Sequence, residues 1–213
     1  MGYHRAGFDV TGVDIVNHAA RYPFRFVQGD AIRYLLAHGR EFDAIHASPP
    51  CQAHTDLKSR HREDLDAMLW PQPKHVDLIP PTRAGLLEVG RPWIIENVPG
   101  APLIDPVVLC GSMFGLGTTC VDRVYRQVRR HRLFESSAAL TAPAPCRHEG
   151  QPIGIYGMGG RQTTGGRYKG ETSEARSALR IGWASRHGLS QAIPPAYTEW
   201  LGVQLLEQLE LAS

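Results

Sequence analysis

The chain has no strong charge of either sign: 23 lysines and arginines against 21 acidic residues leave a formal charge of +2. A balance this small does not announce a nucleic-acid binder, so any basic surface must come from local clustering. Its four cysteines, Cys51, Cys110, Cys120 and Cys146, are widely spaced and form no Cys-x-x-Cys pair. There is no signal peptide and no apolar run long enough to span a bilayer, which points to a reducing cytoplasm and no membrane partner. Internal repeats and low-complexity tracts are missing too. What is present is 213 residues, 42% hydrophobic and 21% charged. That is enough for one core and short for two, so one globular domain with room for a small appendage is expected.

Two short apolar runs stop abruptly at chemically capable residues. The first is Asp43-Ala-Ile-His-Ala-Ser-Pro-Pro-Cys51-Gln52, and the second is Trp93-Ile-Ile-Glu96-Asn97-Val98-Pro99. Buried parallel strands deliver a site at their carboxyl ends in this way. One tip offers a thiol and the other a carboxyl. A thiolate and a nearby acid suit covalent attack on an electron-poor ring, because the ring must be protonated as sulfur adds. A lone cysteine is more often core filler, and the thiol titrates near 8.5 unless a helix amino terminus or an arginine favours the thiolate. The pairing of the two motifs favours the nucleophile.

Pro49-Pro50-Cys51-Gln52 and Glu96-Asn97-Val98, in this order, resemble the catalytic Pro-Cys-Gln and Glu-Asn-Val motifs of the DNA cytosine-5 methyltransferases, in particular small phage and bacterial members. The resemblance implies an α/β fold with a doubly wound, Rossmann-like sheet and S-adenosylmethionine as cofactor. It implies methylation of cytosine C5 in double-stranded DNA through a covalent adduct of Cys51, with Glu96 assisting at N3. Pro50 then falls on the cofactor side, and Gln52 and Asn97 on the substrate side. A cognate restriction endonuclease is a candidate partner, and the compartment is the cytoplasm of a bacterium or phage-infected host. Ala47-Ser48 stands where the family has Gly-Gly, and Ala53-His54 where it has Phe-Ser.

Several other stretches extend the likeness. Gly2-Tyr-His-Arg-Ala-Gly7 reads as a helix end closed by glycine, and Phe8 to Asp14 as a strand ending in a carboxylate. Asp14 is a candidate for the cofactor ribose or else a helix cap, with Ile15 as a face for the adenine. Ala19 to Tyr22 suggests a short helix, Phe24 to Val27 a strand, and Ile32 to His38 a helix. By resemblance Asp30, with Ala31 beside it, binds the adenine amino group; Asp30 can also cap the helix, since a carboxylate has two oxygens. Leu189-Ser-Gln191-Ala-Ile-Pro-Pro195 resembles the family's Gly-Asn-x-Val-Pro-Pro motif and puts Gln191 beside the cofactor. The opening strand and glycine-rich turn of family members have no counterpart here, which implies either a truncated start or a lost cofactor grip. The lost strand would be the central one, leaving apolar neighbours and backbone groups unpaired.

Between these motifs, Lys58, Arg60, His61 and Arg62 stand in a long polar stretch that either meets phosphates or is a solvated surface. Leu78 to Val89 reads as a helix. The basic run Arg126 to Phe134 matches the family's Gln-x-Arg-x-Arg motif in a register that puts Arg130 and Arg132 on one strand face. Arg132 then faces the cytosine carbonyl oxygen, and Val128 takes the glutamine slot unless Gln127 is the true match. From 141 to 172 proline, glycine and cations dominate, with Arg161, Arg167 and Lys169 suited to phosphate or groove contact. Cys146-x-His148 with Cys110 or Cys120 allows a zinc site, but the spacing matches no compact ligand pair, and no metal is expected. Glu174 to Trp183 reads as a helix, and Leu201, Leu205 and Leu209 as a core stripe.

The expected organisation is therefore an N-terminally incomplete catalytic core at 1–140, a small recognition insert at 141–172 and a helical return to the core at 173–213. Two other functions remain open: a catalytically silent DNA-binding remnant, and a related C5 transferase acting on a free pyrimidine nucleotide.

Overall fold

The computed structural model describes residues 1–54, 76–155 and 168–211. The expected roles of Lys58, Arg60, His61, Arg62, Arg161 and Arg167 lie outside the described residues. The protein is mixed α/β, and it divides into two compact units that interleave along the chain. A sheet unit takes Thr11–Val107 and Arg132–Ala139, and a second unit takes Met1–Val10, Val108–His131 and Leu140–Ser213. This division differs from three consecutive segments because the chain leaves the sheet unit and returns to it for a single strand. Among the described residues, no helix is long and apolar enough to cross a membrane.

In the sheet unit, β1 (Thr11–Asp14) pairs in parallel with β2 (Arg25–Gln28), and α2 (Ala31–His38) follows; α1, described below, precedes them. Between β1 and β2, Ala19 to Tyr22 forms a turn rather than a helix, with the amides of Arg21 and Tyr22 both donating to the His18 carbonyl. Then come β3 (Ile45–Ala47), α3 (Ile79–Val89) and β4 (Trp93–Asn97). β3 runs parallel to β4, and β8 (Arg132–Ser136) runs antiparallel to β4 on its other side. Among the described residues the strands form several small sheets rather than one continuous doubly wound sheet. Among the described residues β1 and β2 pair only with each other, and β3 is an edge strand. Every residue of β1 and β3 keeps partial exposure, whereas all of β4 is buried.

The core of this unit follows from the pattern of β4. Trp93 and Ile95 share a face and pack with Leu35 of α2 and with Leu86 and Val89 of α3; each such side chain contributes about 1.5–3 kcal/mol on burial. Helix α3 starts where Asp77 Oδ1 accepts from the Ile79 amide at 3.0 Å, with prolines in its first turn, and it stops at Gly90, whose φ of 71° suits glycine. Glu135 on β8 fixes the helix to the sheet. Its two oxygens accept from Arg83 Nε and Nη2, each at 2.6 Å, and Oε2 also takes the Ile104 amide at 2.9 Å.

Burial acts to raise the Glu135 carboxyl, but the Arg83 guanidinium and the Ile104 amide outweigh it and hold the group below its ordinary 4.5. A carboxyl depressed on folding contributes stability that is complete above the unfolded pKa and lost as pH falls through the folded one. Glu135→Gln is expected to cost about 3 kcal/mol at neutral pH, the low end for breaking a buried pair because Arg83 keeps some water. Urea unfolding across pH should show the difference from wild type shrinking as pH falls below 4.5. A pH-independent difference would mean that the ion pair is not the source of the effect.

In the second unit, α1 (Gly2–Ala6) ends at Gly7 in the left-handed conformation, φ 115°. It packs against α6 (Pro195–Leu211) so closely that a Cβ on Gly2 would stand 2.0 Å from Thr198 Oγ1 and one on Gly202 2.8 Å from the Ala6 Cβ. The chain enters from β5 (Val107–Leu109) and forms an antiparallel pair, β6 (Gly117–Thr119) with β7 (Tyr125–Gln127). Later come the short parallel pair β9 (Ile153–Gly154) and β10 (Tyr168–Lys169), α4 (Thr172–Leu179) and α5 (Arg186–Gln191). Arg126 links these parts: it chelates Asp122 at 2.6 and 2.7 Å and lies 3.8 Å over the Tyr168 ring.

Candidate active site

The register of the sheet unit decides where the motif residues fall. Ala47 lies beside Ile95 in the parallel β3–β4 pair, so both strands end at one edge and Ser48 and Glu96 come next on each. The chain turns at Pro49-Pro50, and Cys51, partly exposed, opens a single 3₁₀ turn, Cys51–Ala53; Gln52 is exposed. Asn97 joins the two tips. Its Nδ2 donates to the Pro49 carbonyl at 3.0 Å while its Oδ1 accepts from the Val98 amide at 2.9 Å, and the residue is only 1% exposed. Both ends of the amide hold backbone, which makes Asn97 a positioning residue that fixes the loop bearing Cys51.

Glu96 stands opposite Phe134 in the antiparallel register, and Arg132 is two residues further along the same face. Diagonal neighbours of this kind are within reach of long side chains. Arg132 Nε lies 2.8 Å from Glu96 Oε1, with both residues buried. A buried charge requires a partner, and each of these supplies the other's. Past the tips, the turn Val98 to Ala101 closes through Gly100, whose φ of 94° is a left-handed conformation suited to glycine.

Arg130 departs from the sequence expectation. The strand begins at Arg132, so the two arginines do not share a strand face. Arg130 belongs to the second unit, where its guanidinium donates to the carbonyls of Leu189, Ser190 and Ala192 at the end of α5. Its own carbonyl accepts from Tyr197 Oη at 2.6 Å. A cation set on the last carbonyls of a helix is a capping arrangement. Gln127 lies in β7 and accepts from the Glu149 amide, while Val128 is buried. Gln191, exposed at the end of α5, donates to Ser190 Oγ at 3.4 Å.

The residues expected from the sequence to meet a nucleoside sit at the tips of β1 and β2. Asp14 Oδ1 accepts from the Val16 amide at 2.8 Å, and its Oδ2 is 3.9 Å from His18 Nε2. Ile15 next to it is 71% exposed. Asp30 caps α2 through Oδ1 alone, accepting from Ile32 and Arg33 at 2.9 and 3.0 Å; Ala31 is exposed at the first helical position. Among the described residues Asp30 Oδ2 has no hydrogen-bond partner, so capping and a ligand contact are compatible in the same carboxylate. The Gly29 amide donates to the Asp14 carbonyl at 2.9 Å and ties the two tips together. Asp14 with the exposed Ile15, and Asp30, thus stand at the ends of two adjacent parallel strands, and residues of these types are compatible with the adenosine end of S-adenosylmethionine. The matching cradle for its methionine end is not found among the described residues.

Two features of the site escaped the sequence. His54 Nε2 lies 3.0 Å from Asp77 Oδ1, so the residue that follows the Cys51 turn stands against the start of α3. The Ile79 amide, and after it the His54 ring, hold Asp77 below the usual carboxylate range. His46, on β3, contacts Ser48 Oγ at 2.9 Å. The residue as a whole is partly exposed, yet its imidazole is enclosed enough that burial pushes its pKa down to about 4. It is therefore a neutral hydrogen-bonding group beneath the turn. The only sequence signal for His54 was its departure from the family's Phe-Ser.

Compared with known proteins, the chain matches no family model and no curated relative.

Proposed function

We propose that this protein is an S-adenosylmethionine-dependent DNA cytosine C5 methyltransferase with a Rossmann-like core of doubly wound ancestry. The observation that carries the proposal is the parallel β3–β4 register locked by the Asn97–Pro49 hydrogen bond. It brings the chain segments that carry Cys51 and Glu96 out at one edge of the sheet, as the proposed reaction requires.

Cys51 gives its thiol proton to solvent and its Sγ adds to C6 of cytosine, while Glu96 takes up a proton from solvent and delivers it to N3 so that the electron pair moves to C5. Arg132 holds Glu96 in place and offers its guanidinium to the carbonyl oxygen of the ring. S-adenosylmethionine, when bound, supplies an electrophilic methyl group for C5. The N3 proton then returns to Glu96, and loss of the C5 proton to water re-forms the C5–C6 double bond and expels the thiolate. A base paired within a duplex is out of reach of Cys51, so the cytosine must leave the stack. Asp14, Ile15 and Asp30 bind the adenosine end, and Lys169 and the cations outside the described residues contact the DNA.

A second reading, a silent DNA-binding remnant, is favoured by one observation: β1 and β3 lie in separate sheets among the described residues, where the reading above calls for a cofactor strand. Two measurements discriminate. Duplex DNA carrying 5-fluorocytosine traps the adduct, because fluorine cannot leave C5 as a proton does. A denaturation-resistant protein–DNA complex that forms only with S-adenosylmethionine is the expected result. No complex, together with no heat of S-adenosylmethionine binding for this chain or for one extended upstream, would favour the remnant. Trapping with fluorinated dCMP but not with DNA would move the activity to a free nucleotide.

A further inference from the structure

Outside the proposed active site, the second unit gathers two thiols and two imidazoles. Cys110 follows β5, His131 lies between β7 and β8, and Cys146 and His148 stand in residues 140–152, which contain no helix or strand. The chain distances between these segments are large, yet the four ligand atoms lie within 4.8 Å of one another. Cys146 Sγ is 2.8 Å from His148 Nε2 and 3.4 Å from His131 Nε2, and Cys110 Sγ is 3.3 Å from His148 Nε2.

We propose that Cys110, His131, Cys146 and His148 hold one structural zinc ion. A tetrahedral zinc with sulfur at about 2.3 Å and nitrogen at about 2.0–2.1 Å separates neighbouring sulfur and nitrogen ligands by roughly 3.6 Å. The 3.3 and 3.4 Å separations are close to that, and the 2.8 Å one opens by less than about 1 Å. Two thiolates balance the charge of the ion, and four protein ligands leave no open position, which marks a structural rather than a catalytic site. Ser112 supports the sulfurs from outside: its Oγ is 3.5 Å from Cys110 Sγ and 3.4 Å from Cys146 Sγ, placed to donate to either thiolate. A disulfide between Cys110 and Cys146 would use the thiols alone and leave the convergence of His131 and His148 unexplained; all four cysteines are free.

The ion would do for residues 140–152 what a core does elsewhere. It joins an irregular stretch to the end of β5 and to the segment after β7, within one unit. Binding of metal is then part of the folding free energy of that unit.

The test uses the whole chain purified from zinc-supplemented growth, with metal measured by plasma mass spectrometry and by cobalt replacement. One zinc per chain, and a cobalt form with a sulfur-to-metal charge-transfer band and the intense visible absorption of tetrahedral cobalt, are expected. Cys146→Ser and His148→Ala should lose the metal, Ser112→Ala should bind it roughly tenfold more weakly, and Cys51→Ser should retain it. None of these readouts depends on methyl transfer. A wild-type protein that is folded by circular dichroism yet retains no zinc and gives no charge-transfer band overturns the proposal, as does a Cys110–Cys146 disulfide found by mass mapping of the protein purified under air.

Discussion

Cys51→Ala is expected to abolish methyl transfer to DNA and the trapped complex with 5-fluorocytosine, while leaving the melting temperature within a degree or so of wild type. The thiol is partly exposed and at the start of a short turn, so its removal opens no core cavity of the kind that costs stability. The turn itself is held by neighbours, through Asn97 on one side and the His54–Asp77 contact on the other. Tritiated methyl incorporation into DNA measures the first expectation and thermal unfolding the second. Undiminished incorporation would remove Cys51 as the nucleophile and with it the covalent mechanism.

Glu96→Gln should slow methyl transfer by about 10²–10⁴-fold, the range expected when a positioned acid is lost. The amide keeps the shape of the side chain and one oxygen for Arg132, which separates the chemical effect from the structural one. Glu96→Ala, by contrast, leaves Arg132 buried without its counter-charge and should cost about 3–5 kcal/mol in stability as well. Single-turnover methylation at saturating DNA reads the chemical step directly. A Gln variant as fast as wild type would reduce Glu96 to a partner of Arg132.

What the chain revealed by itself was what short stretches specify by themselves. Helix α3 was legible from the prolines at its start and the glycine after its end, and β3 and β4 from apolar runs that stop at polar tips. The motif residues followed because a parallel pair brings its carboxyl ends together whatever the rest of the fold does. Arg130 was misplaced for the opposite reason. Its partners are the carbonyls of Leu189, Ser190 and Ala192, about sixty positions away, and no local pattern in Arg126 to Phe134 distinguishes an arginine that caps a distant helix from one that faces a ligand. The same holds for His131, which joins Cys110, Cys146 and His148 only in three dimensions. Ala19 to Tyr22 had helix-compatible residues and too few of them, since a single turn cannot repay its nucleation cost.

The closeness of α1 to α6 has a consequence for synthesis. The helix at residues 2–6 leaves the ribosome long before the segment at 195–211 that receives it, and Gly2 and Gly202 permit no looser substitute for that embrace. Until residues 195–211 are made, residues 2–6 lack the helix they pack against, so this closure is a long-range event of the kind that slows folding. A chaperone that shelters the nascent chain would have to cover residues 2–6 for as long as residues 195–211 are still to be made.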